Sequence, residues 1–198
     1  MGREKPAKQA RSRATAERLL SAAIRVIAEH GLEGTTVPRI AKIAKVAPAS
    51  VYRRYADKDA LIRAAFLHLL EQSNQKNREM QEKKHLLGKN LEATVKQVVQ
   101  ALFDQYHECP LLMRSLTRYL QTTPDRDFVE RVHSVIASNL GLVVQLLMVH
   151  RAEINWPAPE HALRFALLNA ASSIEAYALD VNSLSLLFGG QTPRDRVA

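Results

Sequence analysis

The chain has 198 residues, with 28 Lys and Arg against 20 Asp and Glu, a pI near 9.8 and one cysteine. The length allows one large domain or two small ones, and a lone cysteine excludes an internal disulfide framework. The N-terminus has no apolar segment typical of a secretory signal, and the densest apolar stretch, residues 140–149, is shorter than the ~18 residues that a membrane span needs. We therefore expect a soluble, cytoplasmic protein without membrane contact.

The positive charge is confined to one part of the chain. Residues 1–63 hold 14 Lys and Arg and 6 Asp and Glu, whereas residues 64–198 hold 14 of each. This asymmetry suggests that the first segment binds a polyanion and that the second has a different task, although a solvated basic face would have the same composition. We predict two domains with these bounds.

Apolar residues recur at helical spacing along the whole chain, so the sequence predicts an all-α protein. The first helix is expected from Ser12 to His30, with Gly31 ending it in the left-handed conformation. Its predicted buried face consists of Leu20, Ile24, Ile27 and Ala28. A basic arm at the N-terminus, which runs into the start of this helix, carries Arg3, Lys5, Lys8, Arg11 and Arg13.

Two short helices and a long one follow. The second is expected from Val37 to Lys45 with Thr36 as its N-cap, and the third from Pro48 to Arg54. Asp57 is the expected N-cap of a long fourth helix. Apolar residues of this helix recur at i, i+3 and i+4 spacing, namely Leu61, Ile62, Ala65, Phe66, Leu69 and Leu70.

A tight turn between two short helices is the layout of a helix-turn-helix, whose second helix enters the DNA major groove. Val46, Val51 and Tyr55 are spaced to face inward. The outward positions are polar or cationic, namely Ser50, Tyr52, Arg53 and Arg54, with Arg39, Lys42 and Lys58 on neighbouring helices. Such a collar of cations around a polar helix suits phosphate contacts at the edge and base contacts at the centre.

The segments at residues 31–37 (GLEGTTV) and 50–61 (SVYRRYADKDAL) resemble the DNA-binding domain of the TetR family of transcriptional regulators. The resemblance covers about residues 12 to 66 and implies phosphate contacts from Thr36, Tyr52, Arg54 and Lys58. It also implies a base-reading surface formed by Arg39, Pro48, Ala49, Ser50 and Arg53.

Two residues of this segment depart from the family pattern. Lys45 stands at a turn position that is usually Gly, where a left-handed backbone would cost about 1 kcal/mol, and its charge is expected to contact a phosphate. Ala47 stands at the N-cap of the recognition helix, so about 1 kcal/mol of capping is lost.

The remainder is predicted as a helical bundle over 91–108, 111–121, 125–151 and 160–180, separated at prolines. Its interior is either fully packed or encloses a ligand. Asn139 interrupts an apolar seam and is expected either to set the packing register or to contact a ligand.

Helix 160–180 has a face of small residues and an adjoining apolar stripe, as a subunit interface requires. The small face consists of Ala162, Ala166, Asn169, Ser173 and Ala176. The resemblance implies a homodimer on a pseudo-palindromic operator. Residues 181–198 contain Gly189, Gly190 and Pro193 and lack the apolar pattern of the family's last helix, so we expect a shortened chain or an unusual dimer.

The predicted function is a ligand-released homodimeric repressor with a small apolar effector. Candidate effector contacts are aromatic or amphipathic residues of the bundle, namely Phe103, Tyr106, His107, Met113, Tyr119, Trp156, Phe165 and Asn169. An enzyme is not expected, since His107 and Cys109 supply at most two ligands or a single nucleophile pair, and no cofactor or metal motif accompanies them. A sequence-tolerant architectural DNA binder remains the alternative.

Overall fold

The computed structural model describes residues 4–83 and 88–179, and the regular elements of this part of the chain are all helices, which confirms the all-α prediction. Its α-helices are α1 (Glu4–His30), α2 (Val37–Ala44), α3 (Pro48–Tyr52), α4 (Lys58–Glu82), α5 (Leu91–Glu108), α6 (Pro110–Thr122), α7 (Arg126–Leu147) and α8 (Pro159–Leu179). A 3-10 segment, Met148–Glu153, continues α7. The expectation for residues 181–198 lies outside the described residues.

Helix α1 differs from its prediction at both its start and its face. It begins at Glu4, so most of the predicted basic arm is helical, because Ala, Gln, Arg and Lys are good helix formers and Pro6 lies in the first turn. The fully buried face is Leu19, Ala22, Ala23, Val26 and Ile27, whereas the predicted Leu20, Ile24 and Ala28 are only partly buried. The predicted buried face therefore lies about one residue around the helix from the observed buried face.

The helix-turn-helix agrees closely with its prediction. Gly31 has φ +65°, and α2 begins after Thr36, whose side chain makes no capping hydrogen bond. Helix α3 begins at Pro48 and ends at Tyr52, two residues earlier than predicted. Asp57 caps the following helix as expected, since its Oδ1 accepts a hydrogen bond from Ala60 N at 2.6 Å.

The described residues divide into two compact units. The first comprises residues up to Gln72 together with Leu111–Val132. Its core joins the first four helices through buried side chains, chiefly Leu19, Val26, Val37, Ile40, Ala41, Val51, Leu61 and Ala65. Tyr119 lies in the same unit with its ring centroid 5.6 Å from that of Phe66 and 5.7 Å from that of Phe128.

The second unit comprises Ser73–Pro110 and the residues from His133 onward. Val144 and Leu147 of α7 and Leu167 of α8 form its buried cluster, against which α5 packs through Val95 and Val98. Asn139 accepts a hydrogen bond from Asn77 Nδ2 at 3.1 Å, as a polar group that sets packing register would. The predicted functional boundary between residues 63 and 64 remains a prediction.

Within the described residues, one helical segment, Arg126–Glu153, is long and apolar enough by composition to cross a membrane. Only 22% of its most apolar 18-residue window is buried within the chain. The shorter apolar stretch at residues 140–149, which Gln145 interrupts, lies within this segment. A single segment of this kind is weak evidence for a membrane span, because a helix at the core of a bundle or covered by a second subunit has the same composition.

Candidate functional sites

Helix α3 is held by one buried side chain, and its other residues are exposed except for the half-buried Ser50. Val51 is 1% exposed, and Tyr55, just beyond the helix, packs against the same core. Burial raises the pKa of the Tyr55 hydroxyl, as expected for the inward-facing position predicted for it. Tyr52 is 57% exposed, and Pro48 and Ala49 are exposed at the front of the helix. The outward face of α3 is therefore available to a partner.

The polar residues of this face are partly organised by hydrogen bonds. Arg53 Nη2 donates to Ser50 Oγ at 2.8 Å, which places a guanidinium and a hydroxyl side by side. Arg54 Nη2 donates to Ser12 Oγ at 3.0 Å, so the third turn of α1 lies beside the residues that follow α3. Ser50, Arg53 and Arg54 can each donate hydrogen bonds to acceptors on base edges or phosphates.

Lys45 lies between α2 and α3 and has φ +53° and ψ +49°. This is the left-handed conformation expected at a turn position that is usually Gly in the family. Among the described non-glycine residues, Lys45 alone has a positive φ. The backbone N–H of Lys45 lies within hydrogen-bonding reach of carbonyls at the end of α2, which helps to hold the turn. The exposed side chain adds a cation directly before α3.

The candidate DNA contacts on the helices next to α3 are exposed, but one of them already makes a hydrogen bond within the protein. Thr36 and Lys58 lie at the beginnings of α2 and α4 with exposed side chains. The Arg39 guanidinium donates to the carbonyl of Gly34, so part of its donor capacity is used within the protein. Gly34 itself approaches His30 so closely that an added Cβ would lie 2.5 Å from the His30 carbonyl oxygen.

Two ion pairs support this part of the molecule from within the first unit. Arg63 Nε lies 3.2 Å from Asp125 Oδ2, and Arg118 Nη1 lies 2.6 Å from Glu33 Oε1. Through them α6 and the residues before α7 are joined to the helices that carry the helix-turn-helix.

The effector candidates do not form a single group. Met113 and Tyr119 are buried in the first unit, whereas the other six belong to the second. Phe103 and His107 stack on α5 with centroids 5.8 Å apart. Burial, reinforced by the charge of Glu175, raises the pKa of Tyr106 to about 12. Trp156 and Phe165 are 60% and 71% exposed.

Helix α8 has one face that packs within the second unit and one that is exposed. Leu163 and Leu167 pack inward, while Phe165 and Leu168 are exposed. Of the small residues, Ala166, Asn169, Ser173 and Ala176 are exposed and Ala162 is half-buried. Asn169 Nδ2 donates to Phe165 O at 2.8 Å, so this amide bonds to its own helix.

Sequence reasoning missed two features of the first unit. Thr35 is 1% exposed and its hydroxyl donates to Gly31 O at 2.6 Å, which braces the loop before α2. The second is a basic groove along α1, to which Arg11 and Arg18 contribute. Their seven-residue spacing could have revealed it, had α1 been predicted to start earlier.

Helices α1, α2 and α3, with the polar and exposed surface of α3, have the arrangement of a helix-turn-helix DNA-binding protein. Residues 19–65 match the family described as bacterial regulatory proteins, tetR family, so the predicted resemblance is confirmed for this segment. No curated protein sequence matches the chain. Among the residues that the structure describes, no three His, Cys, Asp or Glu side chains are grouped to hold a metal ion.

Solved structures of low sequence identity share the fold. A TetR transcription regulator from Haloarcula marismortui has 20% identity over 93% of this chain and 96% of its own, with a TM-score of 0.67. The transcriptional regulator FadR from Bacillus subtilis, solved in complex with stearoyl-CoA, has 18% identity over 89% and 99% and a TM-score of 0.63. The fatty acid degradation regulator FadR from Bacillus halodurans has 20% identity over 85% and 86%, with a TM-score of 0.63.

Proposed function

We propose that this protein is a cytoplasmic, homodimeric repressor that binds a pseudo-palindromic DNA operator and releases it when a small apolar effector binds. We assign DNA reading to residues 1–63 and effector binding and dimerisation to residues 64–198. The observation that carries the proposal is helix α3, which is anchored by Val51 and turns a paired Ser50 and Arg53 outward. No catalytic role is proposed.

Base reading is assigned mainly to Ser50 and Arg53. An Arg side chain can donate two hydrogen bonds to guanine, whereas Pro48 and Ala49 offer only apolar contact to a thymine methyl group. Arg39 has a lesser role because Gly34 already accepts from its guanidinium. Phosphate contacts are assigned to the exposed residues around α3, namely Thr36, Lys45, Tyr52, Arg54 and Lys58.

The test is selection of binding sites from a random duplex library at one fixed, near-physiological salt concentration. Enrichment of a palindrome with half-sites about one helical turn apart supports a specific dimer. Binding without any enriched sequence contradicts the proposal and favours an architectural DNA binder, whose affinity depends on salt and not on sequence.

The proposed dimer forms through the outer face of α8. Phe165 and Leu168 are exposed within one chain, beside Ala166, Asn169, Ser173 and Ala176, whose small side chains permit close approach of another helix. An apolar face of this kind is stabilised by covering it with an equal face of a second copy. The low burial of Arg126–Glu153 is consistent with the same interface.

The proposed effector site is on the α5 side of the second unit. Phe103, Tyr106 and His107 combine aromatic surface with polar ends, and Tyr106 is desolvated. The Bacillus subtilis FadR structure contains stearoyl-CoA, which makes acyl-CoA thioesters the first compounds to test. Release of operator DNA by one of them, measured by fluorescence anisotropy, supports the assignment; a panel of acyl-CoAs and neutral apolar compounds without effect contradicts it.

A further inference from the structure

Helix α5 is fastened at its beginning to the 3-10 segment that follows α7. Thr94 of α5 is fully buried, and its hydroxyl oxygen lies 2.8 Å from Nε2 of His150. Glu153 Oε1 lies 3.3 Å from His150 Nδ1, and the other carboxylate oxygen accepts a hydrogen bond from the backbone N–H of Leu91 at 3.0 Å. We call Thr94, His150 and Glu153 the α5 clasp.

The residues around the clasp hold the first half of α5 still more firmly. Asn90 Oδ1 caps the helix by accepting from Ala93 N at 2.9 Å. Gly88 approaches so closely that an added Cβ would lie 2.6 Å from the Ala93 Cβ. Apolar residues of this half also pack on the buried cluster of the second unit, namely Leu91, Val95 and Val98.

The second half of α5, residues 99–108, is packed much less firmly. Thr94 is the only residue of α5 that is fully buried, whereas the shorter α6 buries five. Gln100 Nε2 donates to Asp104 Oδ1 at 2.8 Å, a bond within the helix itself. The apolar residues of this half are partly buried or exposed, namely Val99, Ala101, Leu102, Phe103 and Tyr106. A segment with few buried apolar side chains opens at a low free-energy cost.

The end of α5 is joined to α6 by residues that do not continue the helix. Cys109 has φ −131° and ψ +54°, outside the helical region, and Pro110 has no backbone N–H to donate. Before this joint, the inner side of α5 meets α8, where the charge of Glu175 adds to the effect of burial in raising the pKa of Tyr106. The second half of α5 therefore covers part of α8 and is attached through a joint.

We propose that residues 99–108 of α5 form a lid that swings about the α5 clasp and admits the effector between α5 and α8. The inference rests on the proposed function, since it needs an effector. Opening uncovers the partly buried aromatic side chains of Phe103 and Tyr106. A bound apolar effector adds contacts to these side chains and holds the lid closed.

The experiment is hydrogen–deuterium exchange of the full-length protein, measured by mass spectrometry on peptides that cover residues 88–98 and 99–108. Two variants open the clasp: Thr94→Val removes the buried hydroxyl, and Glu153→Ala removes an exposed carboxylate without disturbing the core. The matched control is Thr122→Val, because the Thr122 hydroxyl bonds to its own helix at Arg118 O. The probes are stearoyl-CoA and the neutral apolar dye N-phenyl-1-naphthylamine.

In the free protein we expect residues 99–108 to exchange about tenfold faster than residues 88–98. This order is the reverse of that in an isolated helix, whose first amides lack carbonyl partners and exchange fastest. A probe that binds should slow exchange at residues 99–108. Both clasp variants should bring residues 88–98 to the rate of the second half, while Thr122→Val matches the unchanged protein.

Uniform exchange along α5 would overturn the inference, as would clasp variants that leave residues 88–98 protected as in the control. It is also overturned if neither probe slows exchange at residues 99–108; if a probe nevertheless releases operator DNA, the proposed function stands without the lid. If site selection enriches no operator, the proposed function fails whatever the exchange pattern, because exchange in the free protein requires no DNA. Circular dichroism checks that the variants keep their helical content.

Discussion

At the residue scale, Lys45 combines backbone strain with a functional charge. Replacing it by Gly removes the β-carbon that disfavours φ +53°, so we expect the free energy of unfolding to rise by about 1 kcal/mol. The same change removes a cation before α3, so DNA affinity should fall and its salt slope should decrease. Denaturant unfolding and anisotropy titrations measure the two effects.

Lys45→Ala is the control for this trade-off, because it removes the charge but keeps the β-carbon. It should weaken DNA binding as Lys45→Gly does, without the gain in stability. If both variants bind DNA as the unchanged protein does, Lys45 does not contact phosphate.

Variants of Arg53 and Lys58 should distinguish a base-reading contact from a phosphate contact. Arg53→Ala is expected to relax preference at one operator position, at a cost of about 1 to 3 kcal/mol on the preferred base. Lys58→Ala should weaken matched and scrambled duplexes alike. Titrations of both variants on both duplexes decide the matter, and equal losses on the two DNAs for Arg53→Ala would refute its assigned role.

At the element scale, the packing of α5 makes stability depend on pH through Tyr106. Its pKa of about 12 in the folded protein lies above the usual value of 10, because burial and Glu175 disfavour the phenolate. Below pH 10 both folded and unfolded states keep the proton, so the stability is unaffected. Between about pH 10 and 12 the unfolded state releases the proton first, and stability should fall.

Chemical denaturation between pH 8.5 and 11.5 tests this expectation. The Tyr106→Phe variant should show a shallower alkaline loss of stability than the unchanged protein, and the absorbance titration near 295 nm should lose its latest-ionising tyrosine. Identical alkaline profiles would show that Tyr106 is solvated in solution.

At the scale of the whole molecule, the outer face of α8 should determine the oligomeric state. Phe165 is 71% exposed within one chain, so Phe165→Glu costs the monomer little but places a carboxylate in the proposed interface. We expect a monomer by light scattering and much weaker operator binding, since a dimer reads two half-sites at once.

Met80→Glu is the comparison variant, because Met80 is also an exposed apolar residue, at 49%, on α4. It should remain dimeric. If Phe165→Glu is dimeric as well, the two copies associate elsewhere.

Local patterns were enough to predict the helices, the Gly31 cap, the inward Val51 and the outward Ser50 and Arg53, because each depends on spacing and on neighbours a few residues away. The buried face of α1 was displaced because Leu20 and Ile24 are more apolar than Ala22 and Ala23. The small alanines are buried where α1 packs closely on its neighbours, which hydropathy alone does not reveal.

The sequence by itself determined the helical class, the basic N-terminal segment and the resemblance to the TetR family, since composition and short-range spacing are properties of the chain alone. Only the tertiary structure decided that Tyr119 of α6 packs on Phe66 in the first unit, that Arg39 is engaged by Gly34, and that Arg11, Arg18 and Lys45 line one groove. These arrangements join residues of different elements, several of them far apart in sequence. Their pairing depends on how helices pack, which no local pattern specifies.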